Sequence, residues 1–187
     1  MPETTIPYQI VVFTQYHSIS GGLFLRDQRL SDHLNDRRDT TIGLRNVSVA
    51  RLEEPAKILE RSLFSAVPKD GIVIAFEPPQ KTVIPQKRFI KYPKDKYEVF
   101  IVTDGMEIRG QLNVTGPLDL RTAITNASAS FLPITQATVT LRAAPALVVK
   151  RDAVLVNAHR IRFIGEVEPK AAPPPPPLPS SEPPQSQ

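Results

Sequence analysis

Hydrophobic and polar positions alternate with a period of two over residues 106–114, where the apolar positions are Ile108, Leu112 and Val114. That period is typical of a half-buried strand. Residues 97–102 (YEVFIV) form a β-branched and aromatic run, a composition that favours a second strand. Between the two lies Asp104-Gly105, a pair that accepts the positive φ angles of tight hairpin turns. The pattern therefore predicts a β-hairpin.

The same pattern occurs earlier in the chain, over residues 8–25. At an interval of 89 residues, Tyr8, Thr14, Ile19, Gly21 and Leu23 recur as Tyr97, Thr103, Ile108, Gly110 and Leu112. After one inserted residue the interval becomes 90, and Leu30, Leu34, Leu44 and Val49 recur as Leu120, Ile124, Ile134 and Val139. Because one change of interval carries the match through both stretches, we predict two duplicated units, residues 8–79 and 97–169.

Each unit is predicted to contain five strands and one short helix. In the second unit the later elements are a helix over 118–125 and strands at about 131–141, 147–156 and 160–167. In the first unit they are a helix over 30–35 and strands at about 42–51, 57–66 and 71–77. Gly21 and Gly110 fall inside the second strand of each unit, where glycine often marks a bulge or a bend. We therefore predict a mainly β fold of two tandem five-stranded small β-barrels.

The composition changes beyond residue 169. Residues 170–187 (KAAPPPPPLPSSEPPQSQ) contain eight prolines and a single large apolar side chain, Leu178. Such a segment cannot bury a core, so we predict a disordered, proline-rich C-terminal tail with a polyproline II bias. The tail could bind an aromatic groove that recognises proline-rich peptides. The favoured interpretation is a solubilising end or spacer.

The net charge of +4 is concentrated in a predicted linker, residues 80–96, because each predicted unit is neutral. This linker holds six basic residues and one acidic residue. Basic side chains neutralise phosphates and aromatic rings stack on bases, so the linker offers a candidate nucleic-acid or anion contact. Its residues are Lys87, Arg88, Phe89, Lys91, Tyr92 and Lys94. The alternative, a connector packed over one barrel, is favoured because the units themselves carry no basic excess.

The hydrophobic strand, Asp104-Gly105 and Ile108-x-Gly110-x-Leu112 resemble the Sm-like fold, the small five-stranded barrels of RNA-binding rings. That resemblance implies a small barrel. In the Sm-like family the RNA site comprises an Asp and an Asn beyond the second strand and an Arg-Gly before the last one. This chain has Thr115-Gly116-Pro117 and Asn157-Ala158-His159 at those places, so the RNA-contacting residues do not carry over.

Two further stretches resemble small bacterial domains of unknown function. They are residues 131–135 (FLPIT) and the closing segment that runs from Asn157 to Ile161. This resemblance implies a related β-domain and supplies no activity.

The sequence predicts no enzyme, no cofactor and no metal site. It contains no cysteine, and His17, His33 and His159 lie far apart without a metal-ligand spacing. The glycine-rich phosphate loop, the dinucleotide-binding fingerprint and the nucleophile elbow are all missing from the sequence. The duplicated positions are mostly apolar, which indicates a shared framework rather than a shared catalytic site.

We expect a cytoplasmic protein without a membrane association. The first residues (MPETTIPYQ) lack the pattern of a secretory signal, and no apolar run approaches the roughly 20 residues that span a bilayer. The favoured function is a non-enzymatic interaction or scaffold protein whose barrels bind a protein partner or self-associate. The alternative is a nucleic-acid-binding protein that uses residues 87–96.

The nucleic-acid alternative predicts oligonucleotide binding that falls steeply with salt and is lost when Lys87, Arg88, Lys91 and Lys94 are changed to Gln. The measurement is fluorescence anisotropy with single-stranded and double-stranded oligonucleotides at two salt concentrations. Absence of binding at the lower salt concentration would contradict this alternative.

Overall fold

The computed structural model describes residues 8–25, 28–78, 94–125 and 130–168, and the fold is mainly β. The strands are β1 Tyr8–Phe13, β2 His17–Leu23, β3 Thr41–Arg51, β4 Ile58–Pro68, β5 Ile74–Phe76, β6 Asp95–Thr103, β7 Met106–Val114, β8 Phe131–Leu141, β9 Ala144–Asn157 and β10 Ile161–Glu166. The helices are α1 Leu30–Asn35 and α2 Leu120–Thr125, and 3₁₀ turns lie at Lys69–Gly71 and Ala158–Arg160.

These elements confirm the predicted strands and both short helices to within a few residues. The strand β6 begins at Asp95, so it includes the last two residues of the range 80–96 that the sequence predicts as a linker. The predicted tail, residues 170–187, lies outside the described residues.

All ten strands belong to one antiparallel sheet with the order β10-β6-β7-β8-β9-β5-β1-β2-β3-β4. The expected pair of tandem five-stranded barrels is not confirmed, since this sheet is not closed. The reason is the partner of β5, which pairs with β1 on one side and with β9 on the other rather than with β4. As a result, β4 and β10 are the two edges of the sheet.

The first half of the sheet, β1–β5, and the second half, β6–β10, share several local features. Their strand orders are β5-β1-β2-β3-β4 and β10-β6-β7-β8-β9. A register shift occurs at Gly21 in β2 and at Gly110 in β7, as the sequence predicted for a bulge. Asn46 and Gln136, the two non-glycine residues with positive φ in the described ranges, have φ values of 50° and 49°. Both halves therefore bend at corresponding places.

Two hydrophobic cores lie within this sheet, one for each half, and the central strands contribute to both. Val12 of β1 and Ala75 of β5 pack in the first core, with Ile42 and Leu44. The neighbouring residues Phe13 and Ile74 pack in the second core, with side chains of β7 and β8. A strand that is buried on both faces needs a continuous apolar run. The sequences of β5 (IAF) and of residues 154–156 (VLV) meet this need.

The bend in β7 depends on the absence of a side chain at Gly110. A Cβ atom at this position would lie 2.7 Å from the Thr135 carbonyl oxygen and 2.7 Å from Ile134 Cγ2. Both atoms belong to β8, which pairs antiparallel with β7 and approaches it closely at the bulge. In contrast, a Cβ atom at Gly71 would have no neighbour within 4 Å.

We predict that Gly110→Ala lowers the free energy of unfolding by about 1–3 kcal/mol, because the added methyl group overlaps backbone of β8. Gly71→Ala is the matched control and should change the free energy of unfolding by less than about 0.5 kcal/mol. Urea denaturation followed by circular dichroism measures both values. Equal stability of the two variants would contradict the close approach of β7 and β8.

Candidate functional site

The predicted nucleic-acid contact falls almost wholly on residues outside the described ranges. Lys87, Arg88, Phe89, Lys91 and Tyr92 lie there. Lys94 is described, and it is exposed directly before β6. Within the described residues the structure therefore gathers no basic cluster from this set, and the nucleic-acid alternative stays a prediction.

The best-defined polar structure is the seam, which we define as the junction of β9 with β5 and its flanking contacts. Leu155 and Val156 stand opposite Ala75 and Ile74 in antiparallel register. The Asn157 backbone N–H extends this pairing by donating to the Val73 carbonyl oxygen at 2.9 Å. The backbone pairing between β5 and β9 covers few residues, so side chains must contribute to the stability of the seam.

Asn157 is the central side chain of the seam and is only 2% exposed. Its Nδ2 donates to the carbonyl oxygens of Ile72 at 2.8 Å and Lys69 at 3.2 Å. Its Oδ1 accepts the backbone N–H of His159 at 3.0 Å. One amide thus satisfies two carbonyl groups of the first half and one N–H group of the second half.

A second amide, Asn35 at the end of α1, contacts β8 in the other half. Its Oδ1 accepts the Phe131 backbone N–H at 2.8 Å, and its Nδ2 donates to the Phe131 carbonyl oxygen at 3.1 Å. Farther along the seam, the Arg151 guanidinium lies over the Phe76 ring, 4.9 Å from its centroid. These contacts fix the relative position of the two halves.

A groove of about 460 Å³ opens beside the seam, and its lining includes Asp36, Asp39, Lys69, Asp70 and His159. The Lys69 Nζ donates to the carbonyl oxygens of Asp36 at 2.7 Å and His33 at 2.9 Å. Burial lowers the pKa of Lys69, whereas the negative charges of Asp39 and Asp36 act in the opposite direction. This ammonium group therefore stabilises the loop after α1.

The Asp36 carboxylate, another charged group that lines the groove, also has a structural partner. The Arg38 Nε donates to Asp36 Oδ1 at 3.0 Å, and the hydrogen bonds from Arg38 hold the pKa of the half-buried Asp36 carboxyl well below its usual value. Burial is the main cause that lowers the pKa of His33, with the charge of Lys69 next. Each shift follows from folding contacts and does not by itself indicate acid–base chemistry.

The part of the chain that the structure describes contains neither a metal-binding cluster nor a membrane-spanning helix. No group of three or more His, Cys, Asp or Glu side chains there could hold a metal ion. The three histidines lie on different elements, His17 in β2, His33 in α1 and His159 in a 3₁₀ turn. Nor do the described ranges contain a helix long and apolar enough to cross a bilayer.

The most unusual surface is the β4 edge, the free side of Ile58–Pro68. β4 pairs with β3, and its other side ends the sheet. Leu63 is 85% exposed and Phe64 is 64% exposed, and the apolar side chains of Ile58 and Leu59 are exposed as well. A strand of 11 residues with an open row of N–H and C=O groups and exposed apolar side chains is a template for another strand.

The β10 edge, the free side of Ile161–Glu166, is the other end of the sheet. Phe163 is 54% exposed there, and its ring centroid lies 6.4 Å from the ring centroid of Phe100. Arg162 holds the strand to the β6–β7 turn, because its Nε and Nη2 donate to the two carboxylate oxygens of Asp104 at 2.8 and 2.7 Å. These hydrogen bonds lower the pKa of Asp104.

Comparison with known proteins gives no match: no family model fits the sequence, and no curated protein and no solved structure is significantly similar to it. The resemblances noted from sequence motifs therefore remain expectations. The function has to be inferred from the geometry of this chain.

Sequence reasoning did not identify the β4 edge or the seam. The adjacent pair Leu63-Phe64 was visible in the sequence, but only the sheet order shows that this strand ends the sheet. Asn157 was identified at the start of the last strand, whereas its buried amide contacts needed the tertiary structure.

We predict that Asn157→Ala lowers the free energy of unfolding by about 1–3 kcal/mol, because the buried carbonyl groups of Ile72 and Lys69 lose a donor. The matched control is Asn113→Ala, which removes one half-buried hydrogen bond from Asn113 Nδ2 to Thr135 Oγ1 and should cost less than about 1 kcal/mol. Urea unfolding measures both. A loss at Asn113 as large as that at Asn157 would contradict the structural importance of the seam amide.

Proposed function

We propose that this chain is a non-enzymatic interaction protein that associates with other polypeptides through the open edges of its sheet. The observation that carries the proposal is the β4 edge, where Leu63 and Phe64 are largely exposed beside backbone groups that face no other described strand. Edge strands of this kind bind partners by strand addition, in which backbone hydrogen bonds give affinity and side chains give specificity.

The exposure of this edge is unusual enough to require an explanation. Proteins usually protect an edge strand by making it short, by placing charged residues or proline on it, or by covering it. β4 has charged residues at Glu60 and Arg61 and ends with Pro68. Leu63 and Phe64, however, lie between these protective residues. We attribute their exposure to contact with a partner.

We also infer that the chain is a tandem duplication of one small barrel-like unit, with copies over residues 8–79 and 97–169. The support is the shared strand order and the paired bulges at Gly21 and Gly110. The strands β3 and β8 also begin 90 residues apart, at Thr41 and Phe131. A likeness of each copy to the Sm-like barrel is part of this proposal and rests on sequence motifs.

The non-enzymatic character of the proposal is supported by the groove beside the seam. Its ammonium group, Lys69, donates to two carbonyl oxygens, and its Asp36 carboxylate accepts hydrogen bonds from Arg38. These groups are therefore engaged in folding contacts. A cytoplasmic location remains an expectation from the sequence.

The proposal predicts that capture of proteins by the tagged chain depends on the β4 edge. The comparison uses the wild-type chain, the double variant Leu63→Lys/Phe64→Lys and the control Tyr16→Lys, which changes an exposed aromatic residue away from both edges. Proteins from a lysate of the source cells, including further copies of the chain, are quantified by mass spectrometry after each capture.

We expect the double variant to capture at least 10-fold less of the partner than the wild-type chain does, which corresponds to about 1.4 kcal/mol of binding free energy. The control should capture as much as the wild-type chain. Captured proteins that are the same for all three baits would contradict the proposal. Retention of nucleic acid by the wild-type chain, with no protein lost in the double variant, would favour the nucleic-acid alternative.

A further inference from the structure

The seam shows how an edge of one half binds an edge of the other. The last residues of β9 pair with β5, so that Val156 stands opposite Ile74 and Leu155 opposite Ala75. All four side chains are at least 93% buried. The chain thus contains, within itself, a complete example of an antiparallel contact between its two halves.

The two free edges correspond to the two strands that form this contact. In the first half Pro68 of β4 stands opposite Thr41, and in the second half Asn157 of β9 stands opposite Phe131. β4 therefore occupies the place of β9, with Val67 and Ala66 corresponding to Val156 and Leu155.

The strands β5 and β10 correspond in the same way. Ile74 stands opposite Phe13 of β1, and Phe163 stands opposite Val102 of β6. Phe163 and Ile164 therefore correspond to Ile74 and Ala75. The β4 edge thus corresponds to the β9 side of the seam, and the β10 edge corresponds to its β5 side. Neither edge is paired with a described strand of the other half.

The side chains of these edges match their apolar counterparts at the seam. Ile74 is 0% exposed because the second core covers it, whereas Phe163, in the corresponding place, is 54% exposed. On the other edge, β4 exposes Leu63 and Phe64. On β10 the seam position Phe163 therefore leaves apolar surface in water, whereas on β4 the seam position Val67 is only 6% exposed and the exposed residues lie farther along the strand.

We propose that a second copy of this chain covers these surfaces, with β10 of one molecule pairing antiparallel to β4 of the next. The register of the seam places Phe163 opposite Val67 and Ile164 opposite Ala66. Because β10 has six residues and β5 has three, the same register continues to Glu166 opposite Phe64. This inference rests on the proposed function and names its partner.

The contact is heterologous, since it joins two different surfaces of the same chain. Every molecule added in this way leaves one β4 edge and one β10 edge free at the ends of the assembly. Such contacts extend head to tail until the rotation between neighbours closes a ring. The assembly therefore exceeds a dimer at sufficient protein concentration.

Pro68 makes this contact weaker than the seam. At the seam, the Asn157 N–H donates to the Val73 carbonyl oxygen, and the Asn157 side chain adds two further hydrogen bonds. Proline has no N–H and no amide side chain, so these bonds have no counterpart between molecules. We therefore expect reversible association that increases with protein concentration.

The test uses variants that block one edge each. Leu63→Glu/Phe64→Glu blocks the β4 edge, because a carboxylate at position 64 would face Glu166 of the next molecule, and Phe163→Lys blocks the β10 edge. Because the three side chains are exposed, the variants should retain the fold, which circular dichroism and thermal unfolding verify. A second β4 variant, Ala66→Pro, removes a backbone N–H that faces the edge and leaves the apolar side chains in place. Tyr16→Lys is the matched control.

Light scattering coupled to size-exclusion chromatography measures the mass of each purified protein over a range of concentrations. We expect the wild-type chain and the control to form species larger than two chains. Each blocked variant should be a monomer. An equimolar mixture of the β4-blocked and β10-blocked variants should double the mass, because one intact β4 edge then meets one intact β10 edge.

Three results would overturn the proposal. One is a wild-type chain that stays monomeric at every concentration. Another is a Phe163→Lys variant that remains a dimer while the β4 variants are monomers, which would indicate β4 paired with β4 instead. The third is assembly by all variants. If the wild-type chain is monomeric but captures other proteins through β4, the proposed function stands and this inference fails.

Discussion

The pairing of β9 with β5 is the contact on which the rest of this structure depends. In a closed five-stranded unit, β5 would pair with β4 of its own half. Here β5 pairs instead with β9, and this joins both halves into one sheet. The same pairing leaves β4 without a second neighbour among the described strands, so the internal contact and the open edge have one origin.

Burial on both faces makes that arrangement favourable. Residues of β1 and β5 alternate between the two cores, with Val12 in one and Phe13 in the other. Each apolar side chain removed from water contributes roughly 1.5–3 kcal/mol, so a strand shared by two cores gains from both of its faces. The buried amides of Asn35 and Asn157 then satisfy the polar backbone groups beside these cores.

The polar groups near the seam contribute to folding. Lys69 donates to two carbonyl oxygens at the C-terminal end of α1, Asp36 binds Arg38, and Asn157 bridges the halves. The exposed apolar groups are concentrated elsewhere, with four of them on β4. This separation of hydrogen-bonded polar groups from exposed apolar ones supports the proposal of an interaction protein.

Much of the local structure was determined by the sequence alone. The period of two, Asp104-Gly105 and the glycines at positions 21 and 110 predicted the strands, a turn and both bulges, because these features depend on neighbouring residues and on φ angles. The recurrence at intervals of 89 and 90 residues predicted ten strands in two sets of five.

Only the tertiary structure decided which strands became neighbours at the centre and which became edges. A backbone N–H group can pair with any strand that approaches it, so the sequence of β5 alone does not select between β4 and β9. The choice depended on distant contacts, among them the amide of Asn157 on the carbonyl groups of Ile72 and Lys69. Those contacts exist only once the two halves have met.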